Sequence, residues 1–396
     1  MHIEHLSLTN FRNYGRLELD LPQHVAVLRG DNAQGKTSLL EAIYMVATTR
    51  PPRAIAEREL INWLAYREEM PVARLLARVQ RGRGKIEVEL GLQGPRGEPL
   101  RAAEGQPSPP GQVHKRIRVN GITRRAIDLI GQVNVVLFGA QDIEVISGAP
   151  SLRRRYLDLA HSQVDSHYLR ALQHYQRVLE QRNHLLRSIQ ERRARPVQLD
   201  FWDGELVGSG SQLVTARHHL VAALNPLAHS IHQEITVRQE SLEIVYRPSI
   251  GREAAAQSRE PERVAEAFQQ ALRRVREKEI ASGMTLVGPH RDDIGFLANR
   301  VDMGIYGSRG QQRAIALSLR LAEARFMLEK TGDHPILLLD DVLSELDSQR
   351  RGGLLQSAAA YQQVLLTTTD LDPFPPELLA EAALFELREG SVQRLH

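Results

Sequence analysis

A short stretch near the N-terminus, GDNAQGKT at 30–37, constrains the fold more than any other part of the 396-residue chain. It follows the strand-like run VAVLR, precedes the helical run TSLLEAIYMVA and matches the pattern GxxxxGK[ST] in the context that the pattern requires. Glycines let such a loop curl so that its N–H groups and the helix N-terminus face phosphate oxygens. The sequence therefore predicts a phosphate-binding loop in which Lys36 reaches the β and γ phosphates and Thr37 holds Mg²⁺.

The composition narrows the classes of protein. Apolar residues make up 42% of the chain, and 51 basic against 48 acidic residues leave a formal charge of +3, as in a folded globular protein. Cysteine is absent, which excludes disulfides, thiolate metal sites and a cysteine nucleophile. No apolar run reaches the roughly 18 residues of a membrane span, and Glu4, His5 and Arg12 stand where a signal peptide would be apolar. We expect a cytoplasmic protein that is neither secreted nor inserted in a membrane.

Hydrophobic patterns divide the chain into three parts. Alternating runs typical of strands characterise residues 1–140, helical patterns dominate 141–282, and strand and helix patterns alternate in 283–396. A stretch rich in proline and glycine at 94–112 indicates a loop. We predict an α/β fold in which both ends of the chain build one nucleotide-binding lobe and the middle forms an inserted helical lobe.

Leucines recur every seven residues in the helical part, before and after Pro196. The two series are Leu172, Leu179 and Leu186, and then Leu199, Leu206, Leu213, Leu220 and Leu227. Two helices joined near Pro196 can zip into an antiparallel hairpin. In the alternative, both are amphipathic helices packed on a small lobe. The prediction is a lobe with a short antiparallel helical hairpin.

A second motif completes the expected phosphate site. The apolar run ILLL at 336–339 ends in Asp340 and Asp341, as in a buried parallel strand whose C-terminal end meets a ligand. Asp340 is expected to hold Mg²⁺ together with Thr37, and Asp341 to polarise the water that attacks the γ-phosphate. In the alternative, the two acids only begin the next turn.

A third motif, GSRGQQR at 307–313, opens a helix rich in alanine and leucine. Ser308 at its N-cap makes this helix end receptive to anions. With Ser344 and Asp347 shortly after the carboxylate pair, the three motifs resemble those of the ATP-binding cassette superfamily. That resemblance implies that the serine–glycine signature of one protomer covers the γ-phosphate bound by the loop of another.

Six segments together resemble the RecF family of bacterial recombinational DNA repair proteins. They are NFRNY at 10–14, GDNAQGKTSLLEAI at 30–43, GAPSLRRRYLD at 148–158, LVGPHRDD at 286–293, SRGQQRAIALSLRLAEA at 308–324 and LLLDDVLSELD at 337–347. The resemblance implies a P-loop, ABC-type ATPase lobe like an SMC head, plus a helical second lobe. It also implies ATP and Mg²⁺ as cofactors, DNA as ligand, an ATP-induced head-to-tail homodimer, and RecO and RecR as partners. The implied task is to help RecA load at gapped DNA in repair, replication restart and the SOS response.

The resemblance also assigns roles to residues. For ATP binding these are Arg12, Asn13, Gly30, Asp31, Asn32, Ala33, Gln34, Gly35, Lys36, Thr37 and Ser38; for catalysis Asp341, Lys36 and Gln141; for Mg²⁺ Thr37 and Asp340; for the signature acting in trans Ser308, Arg309, Gly310 and Gln311; and for the D-loop Ser344 and Asp347. Arg309 replaces a glycine of transporter signatures, and LLTTTD at 365–370 lacks their switch histidine. Both departures predict slow hydrolysis used as a switch, and the family resemblance implies that DNA stimulates it.

Basic clusters are the candidates for DNA contact. They contribute Arg81, Arg83, Lys115, Arg116, Arg124 and Arg125, and RVNG at 118–121 predicts a hairpin turn with outward basic flanks. Aromatic residues amount to only 5%, which favours phosphate tracking along duplex or a single-strand/double-strand junction over stacking on single-stranded DNA. GPHRDD at 288–293 also suggests a metal nuclease through His290, Asp292 and Asp293, although a structural turn is the preferred interpretation.

Three other functions fit parts of the pattern. A transporter ATPase subunit is disfavoured by the inserted helices and the missing histidine. An SMC-like chromosome-organising ATPase is disfavoured because the helical insertion is too short for long arms. A clamp that binds ATP without hydrolysing it remains the third alternative.

Overall fold

A computed structural model describes residues 1–52, 56–67, 71–95, 113–236, 240–251 and 260–395, so nearly all of the predicted loop at 94–112 lies outside the described part. The helices are α1 (Lys36–Thr48), α2 (Ala126–Leu129), α3 (Ile143–Ser147), α4 (Pro150–Ser162), α5 (Ser166–Gln190), α6 (Leu199–Ile235), α7 (Pro261–Ser282), α8 (Met303–Tyr306), α9 (Arg309–Thr331), α10 (Ser348–Ala358) and α11 (Pro376–Glu381). The strands are β1 (His2–Phe11), β2 (Tyr14–Asp20), β3 (Val25–Arg29), β4 (Val72–Arg81), β5 (Gly84–Gln93), β6 (His114–Val119), β7 (Ile122–Arg124), β8 (Val135–Gly139), β9 (Leu242–Arg247), β10 (Asp293–Ala298), β11 (Val301–Asp302), β12 (Ile336–Asp340), β13 (Val364–Thr368), β14 (Ala383–Arg388) and β15 (Ser391–Arg394).

The chain forms two compact units. The first contains residues 1–140 and 323–396, and the second contains 141–322. The alternation of strand and helix patterns predicts that 283–322 belong to the nucleotide-binding lobe, but in the structure these residues belong to the second unit. The reason is strand pairing, because β10 pairs antiparallel with β9, from Asp293 opposite Arg247 to Ala298 opposite Leu242. Within the described residues, no helix has the length and apolar character to span a membrane.

The first unit confirms the α/β prediction and contains two six-stranded sheets. One is antiparallel, in the order β2-β1-β4-β5-β6-β7, and the other has the order β15-β14-β3-β13-β12-β8, with every neighbouring pair parallel except β14 and β15. Helix α1 contacts strands of both sheets and is buried along most of its length, as its apolar run AIYMVA at 42–47 requires. The predicted turn between β6 and β7 is present, with φ of 50° at Asn120 and 77° at Gly121, as a two-residue type I′ hairpin needs.

The second unit is built around the predicted helical hairpin. Helices α5 and α6 run antiparallel, as shown by the bonds from Arg182 Nε to Asp203 Oδ1 (2.7 Å) and from Arg217 Nε to the Tyr168 hydroxyl (3.0 Å). Of the leucines in the two series, those at 186, 199, 206, 213 and 220 are buried, and those at 172, 179 and 227 are half-buried. The seven-residue repeat therefore marks the inner faces of the hairpin.

A buried polar network joins the segment GPHRDD to the hairpin. The guanidinium of Arg217 donates to Asp158 (2.8 Å) and to the carbonyl of Pro289 (2.6 Å), and the hydroxyl of Tyr246 donates to Asp292. Buried charges of this kind are stable only when they are paired and hydrogen-bonded. The internal bonds of this segment support the structural interpretation over the nuclease alternative.

His290, in the same segment, is held neutral. Its Nδ1 accepts from the Tyr175 hydroxyl (2.7 Å), which leaves Nε2 to donate to the carbonyl of Thr285 (3.1 Å). Burial lowers the pKa of His290 to about 4. Asp293, the last residue of the segment, pairs with Arg153 at 2.6 Å. Each acidic or imidazole group that suggested a metal site thus has an internal partner.

Two glycines on α6 provide a matched test of this packing. A Cβ at Gly210 would lie 2.5 Å from the Phe268 ring and 3.0 Å from the Tyr175 ring, whereas a Cβ at the exposed Gly208 would have no atom within 4 Å. We predict that Gly210→Ala destabilises the protein by about 1–3 kcal/mol through overpacking. Gly208→Ala should stabilise it by about 0.5–1 kcal/mol, because helix propensity alone changes. Urea unfolding followed by circular dichroism measures both, and equal midpoints would contradict the predicted packing.

Candidate nucleotide-binding site

The phosphate loop joins the end of β3 to the start of α1, and two glycines determine its path. Gly35 has φ of 108°, and a Cβ there would lie 2.5 Å from Asn13 Nδ2. A Cβ at Gly30 would lie 2.6 Å from the carbonyl oxygen of Leu387. The hydroxyl of Tyr14 donates to the carbonyl of Gly35 (3.0 Å), so the β1–β2 hairpin fixes the end of the loop. Both glycines are therefore required by close backbone approach and, at Gly35, by positive φ.

Lys36 is folded back over the loop that precedes it. Its Nζ donates to the carbonyls of Gly30 (2.5 Å) and Asp31 (2.9 Å). Burial lowers the pKa of the ammonium group, while the carboxylates of Asp341, Asp340 and Asp31 act in the opposite direction. The ammonium is thus surrounded by oxygen atoms in the position where a loop of this type receives phosphate oxygens.

Two chain segments that are distant in sequence meet at Asp340. Thr37 Oγ1 donates to both carboxylate oxygens of Asp340, at 3.0 and 2.9 Å, and Thr367 Oγ1 donates to Asp340 Oδ1 at 2.8 Å. The strand pairing explains this, because Asp340 lies opposite Thr367 in the parallel sheet and β3 is the next strand. Thr37 and Asp340, the two expected Mg²⁺ ligands, therefore lie together at the carboxyl edge of the sheet.

Asp341 has a special backbone conformation. Its φ is 52°, its N–H donates to Thr367 Oγ1 (2.9 Å), and its carboxylate accepts from Ser344 Oγ (3.2 Å). Asp and Asn tolerate this left-handed region better than most residues. Strain at a candidate catalytic carboxylate is typical of functional sites. Asp347, the other D-loop residue, caps α10 by accepting from the N–H of Arg350 (2.9 Å).

A cavity of about 760 Å³ opens in front of the loop within the first unit. Its lining residues are Arg12, Asn13, Asn32, Ala33, Gly35, Lys36, Thr37, Ser38, Glu41, Arg58, Glu59, Ile61, Trp63, Tyr66, Ala140, Asp340 and Asp341. Its volume is in the range of small-molecule sites. Most of the expected ATP-binding residues therefore line this one cavity.

Several lining residues were not predicted from the sequence. One of them, Glu41, is buried and pairs with the predicted site residue Arg12 at 2.9 Å, and the Arg12 guanidinium also donates to the carbonyl of Glu59 (3.1 Å). The segment 56–67 therefore closes one side of the cavity. It carries neither a motif nor a clear period, so only the tertiary structure reveals its place.

The remaining predicted site residues lie outside this cavity. Gln34 Oε1 accepts from the N–H of Glu389 (2.5 Å), which ties the loop to β14–β15. Gln141 is exposed and belongs to the second unit, directly after the lining residue Ala140. The signature residues 308–311 also belong to the second unit. There the N–H of Ser308 donates to Gln311 Oε1 (3.0 Å) and the N–H of Gln311 donates to Ser308 Oγ (3.3 Å), so the two residues cap the start of α9.

The oxygen atoms at Thr37 and Asp340 fit a magnesium ion. Mg²⁺ prefers oxygen ligands and is usually held by one or two protein groups together with substrate phosphates and water. Among the described residues, no cluster of three or more His, Cys, Asp or Glu residues that could hold a metal occurs. The protein therefore offers part of a coordination sphere, which a bound nucleotide would complete.

Comparisons with known proteins agree with this geometry. A family described as RecF/RecN/SMC N terminal domain matches residues 2–374. The DNA replication and repair protein RecF of Chloroflexus aurantiacus is 44% identical over 99% of this chain and 99% of its own length. A solved structure of the recombination mediator protein RecF with ATP, in the RecFOR pathway, has 30% identity, covers 100% of this chain and 98% of its own, and superposes with a TM-score of 0.85. An SMC head domain from Pyrococcus furiosus, 14% identical with a TM-score of 0.52, shares the fold.

Two substitutions separate phosphate binding from the chemistry that follows it. Lys36→Ala should weaken nucleotide binding by about 100-fold, since a hydrogen bond to a charged group contributes roughly 1.5–3 kcal/mol. Asp341→Asn should leave binding unchanged and stop turnover, because Asn accepts the positive φ but is no base. A fluorescent ATP analogue and phosphate release measure the two effects. Equal nucleotide affinity of wild type and Lys36→Ala would refute the loop assignment.

Proposed function

The chain belongs to the RecF family of DNA replication and repair proteins, and from this membership we propose that it is an ATP-switched DNA-binding protein of recombinational repair. The observation that carries the proposal is the convergence of Lys36, Thr37 and Asp340 on one cavity edge, which is the arrangement that triphosphate binding requires. ATP hydrolysis to ADP and phosphate is the proposed reaction.

Each residue of the site has a distinct part in the proposed hydrolysis. Lys36 would move from the loop carbonyls to the β and γ phosphates and neutralise charge as the γ-phosphoryl group departs. Mg²⁺, held by Thr37 and Asp340, would neutralise phosphate charge. Asp341 would orient the attacking water in line with the γ-phosphate and accept its proton, while Ser344 positions that carboxylate.

Slow, DNA-stimulated turnover is part of the proposal. Arg309 at the signature and the absence of a histidine in LLTTTD support it, because both differ from the transporters that hydrolyse ATP rapidly. In the structure Thr367, within this segment, donates to Asp340 and receives the N–H of Asp341. A threonine there binds the Asp340 carboxylate and the Asp341 backbone N–H but offers no imidazole to the γ-phosphate.

The proposed DNA surface uses only part of the basic set. Lys115 is paired with Glu57 (2.5 Å), Arg125 with Asp128 (3.1 Å), and Arg81 donates to Gln132 (2.9 Å). Within the described part of the chain, Arg83, Arg116 and Arg124 are exposed and form no ion pair. These three are the stronger candidates for duplex or junction phosphates, because among the described residues their guanidinium groups have no ion-pair partner that DNA would have to displace.

A salt titration tests this surface. The slope of log Kd against log salt for duplex binding with ATP should fall by about one unit for each lost phosphate contact in Arg116→Ala and Arg124→Ala. Arg170→Ala, which removes an exposed arginine of α5, is the matched control and should leave the slope unchanged. A change in the control alone would place the DNA surface on the second unit.

The proposed cycle includes a head-to-tail homodimer and action with RecO and RecR in loading RecA at gapped DNA. The name of the RecF relative, a recombination mediator in the RecFOR pathway, supports the action with RecO and RecR. The capped start of α9, with Ser308 exposed, provides the surface that would cover a second protomer's γ-phosphate. An SMC-like chromosome-organising role is the second candidate, supported by the shared head fold alone.

Dimer formation should require ATP and depend on Ser308. Ser308→Arg places a bulky charged side chain where the partner's nucleotide must approach, so monomers should bind ATP normally and fail to associate. Sedimentation velocity with ATP, with ADP and without nucleotide measures this. A wild-type dimer that forms equally in all three conditions, or a variant that dimerises normally with ATP, would rule out the trans arrangement.

A further inference from the structure

The two most exposed large apolar side chains of the described residues stand directly before the signature. Ile305 is 73% exposed and Tyr306 is 74% exposed, and only Gly307 separates them from Ser308. Single apolar residues on a surface are common, but an adjacent pair of large side chains exposed to this degree suggests an interaction site. We call Ile305 and Tyr306 the signature pair.

The signature pair is carried on a backbone that is held in place. Met303 at the start of α8 is 6% exposed, and its carbonyl accepts from Gln312 Nε2 (2.9 Å). A Cβ at Gly304 would lie 2.9 Å from the carbonyl of Ile146, and one at Gly307 would lie 2.5 Å from that of Met303. The inner side of α8 is thus tightly packed. Residues presented on such a fixed segment lose little conformational entropy when a partner covers them.

A second exposed apolar pair stands at the rim of the nucleotide cavity. Trp63, which lines the cavity, is 58% exposed, and the next residue, Leu64, is 48% exposed. The N–H of Leu64 donates to Asn62 Oδ1 (2.9 Å), and the N–H of Asn62 donates to the carbonyl of Asn10 (2.8 Å). The turn is therefore anchored to the β1–β2 hairpin that carries Arg12. We call Trp63 and Leu64 the rim pair.

We propose that the signature pair of one copy packs against the rim pair of a second copy when ATP joins them. This inference rests on the proposed function, because it requires the head-to-tail dimer. In such a dimer Ser308 approaches the partner's nucleotide, so the residues beside Ser308 approach the residues that border the partner's cavity. A twofold axis makes the same contact twice, with the signature pair of each copy on the rim pair of the other.

In the proposed dimer, recognition of ATP and stabilisation of the interface would come from different contacts. The γ-phosphate bound by one copy and the signature of the other supply the polar link that distinguishes ATP from ADP. The two apolar contacts supply area that excludes water around that link, and apolar or aromatic anchors of this kind often dominate the stability of an interface. A dimer without them would still recognise ATP but would dissociate faster.

The test is the dimer dissociation constant with ATP, measured by sedimentation for the full chain. Ile305→Ser, Tyr306→Ser and Leu64→Ser should each weaken the dimer at least about tenfold, since each removes an apolar side chain from two symmetric contacts. Leu64 is outside the cavity lining, so ATP binding by the monomer should persist. Ile122→Ser is the matched control, because Ile122 on β7 is also an exposed apolar residue, at 57%, and should not affect the dimer.

A double-mutant cycle tests whether the two pairs touch. Leu64→Ser combined with Ile305→Ser should weaken the dimer by clearly less than the product of the single effects, since the second change removes a contact already lost. Absence of a wild-type dimer with ATP would refute the dimer of the proposed function itself. A wild-type dimer that both single variants leave intact would overturn only the present inference, as would effects that multiply independently.

Discussion

The bond from the Thr37 hydroxyl to the Asp340 carboxylate joins residues 303 positions apart and defines the nucleotide site. Thr37 belongs to the first turn of α1, and Asp340 ends β12. The two come together because β13 lies between β3 and β12 in the parallel sheet. Thr367 on β13 completes the arrangement with its own bond to Asp340. The strand order of this sheet thus brings the phosphate loop next to Asp340, and a different strand order would separate them.

The motifs that would bind the nucleotide and those that would sense it lie in different units, which is what the proposed switch requires. The cavity is lined by residues of the first unit alone, while the signature and the segment α8 belong to the second. A protein arranged in this way can bind a nucleotide in one unit and present the residues that would sense it on another. The close approach of Gly304 to the carbonyl of Ile146 fixes the position of the backbone that carries those residues.

Sequence patterns identified the local features and missed the contacts that depend on tertiary structure. The phosphate loop, the strand before Asp340 and the helical hairpin were predicted because each is encoded in one continuous stretch with a defined period. The assignment of 283–322 to the first unit was wrong because the pairing of β10 with β9 is non-local. The ion pair of Lys115 with Glu57 could not be seen in the sequence for the same reason, and it reduces the charge that this predicted DNA contact has available. The segment 56–67, without a motif, was missed altogether.

The order of strands also has a consequence for the growing chain on the ribosome. The strands β1, β2 and β4–β7 of the antiparallel sheet are all synthesised within the first 140 residues, and the second unit is a continuous stretch that ends at residue 322. The parallel sheet, in contrast, has β3 near its centre, while both neighbours of β3, the strands β13 and β14, lie after residue 360. The loop at 30–37 therefore lacks its partner Asp340 until the ribosome has passed residue 340. Domains generally fold as units during synthesis, so we expect the parallel sheet and its nucleotide site to close only after these late strands have been made.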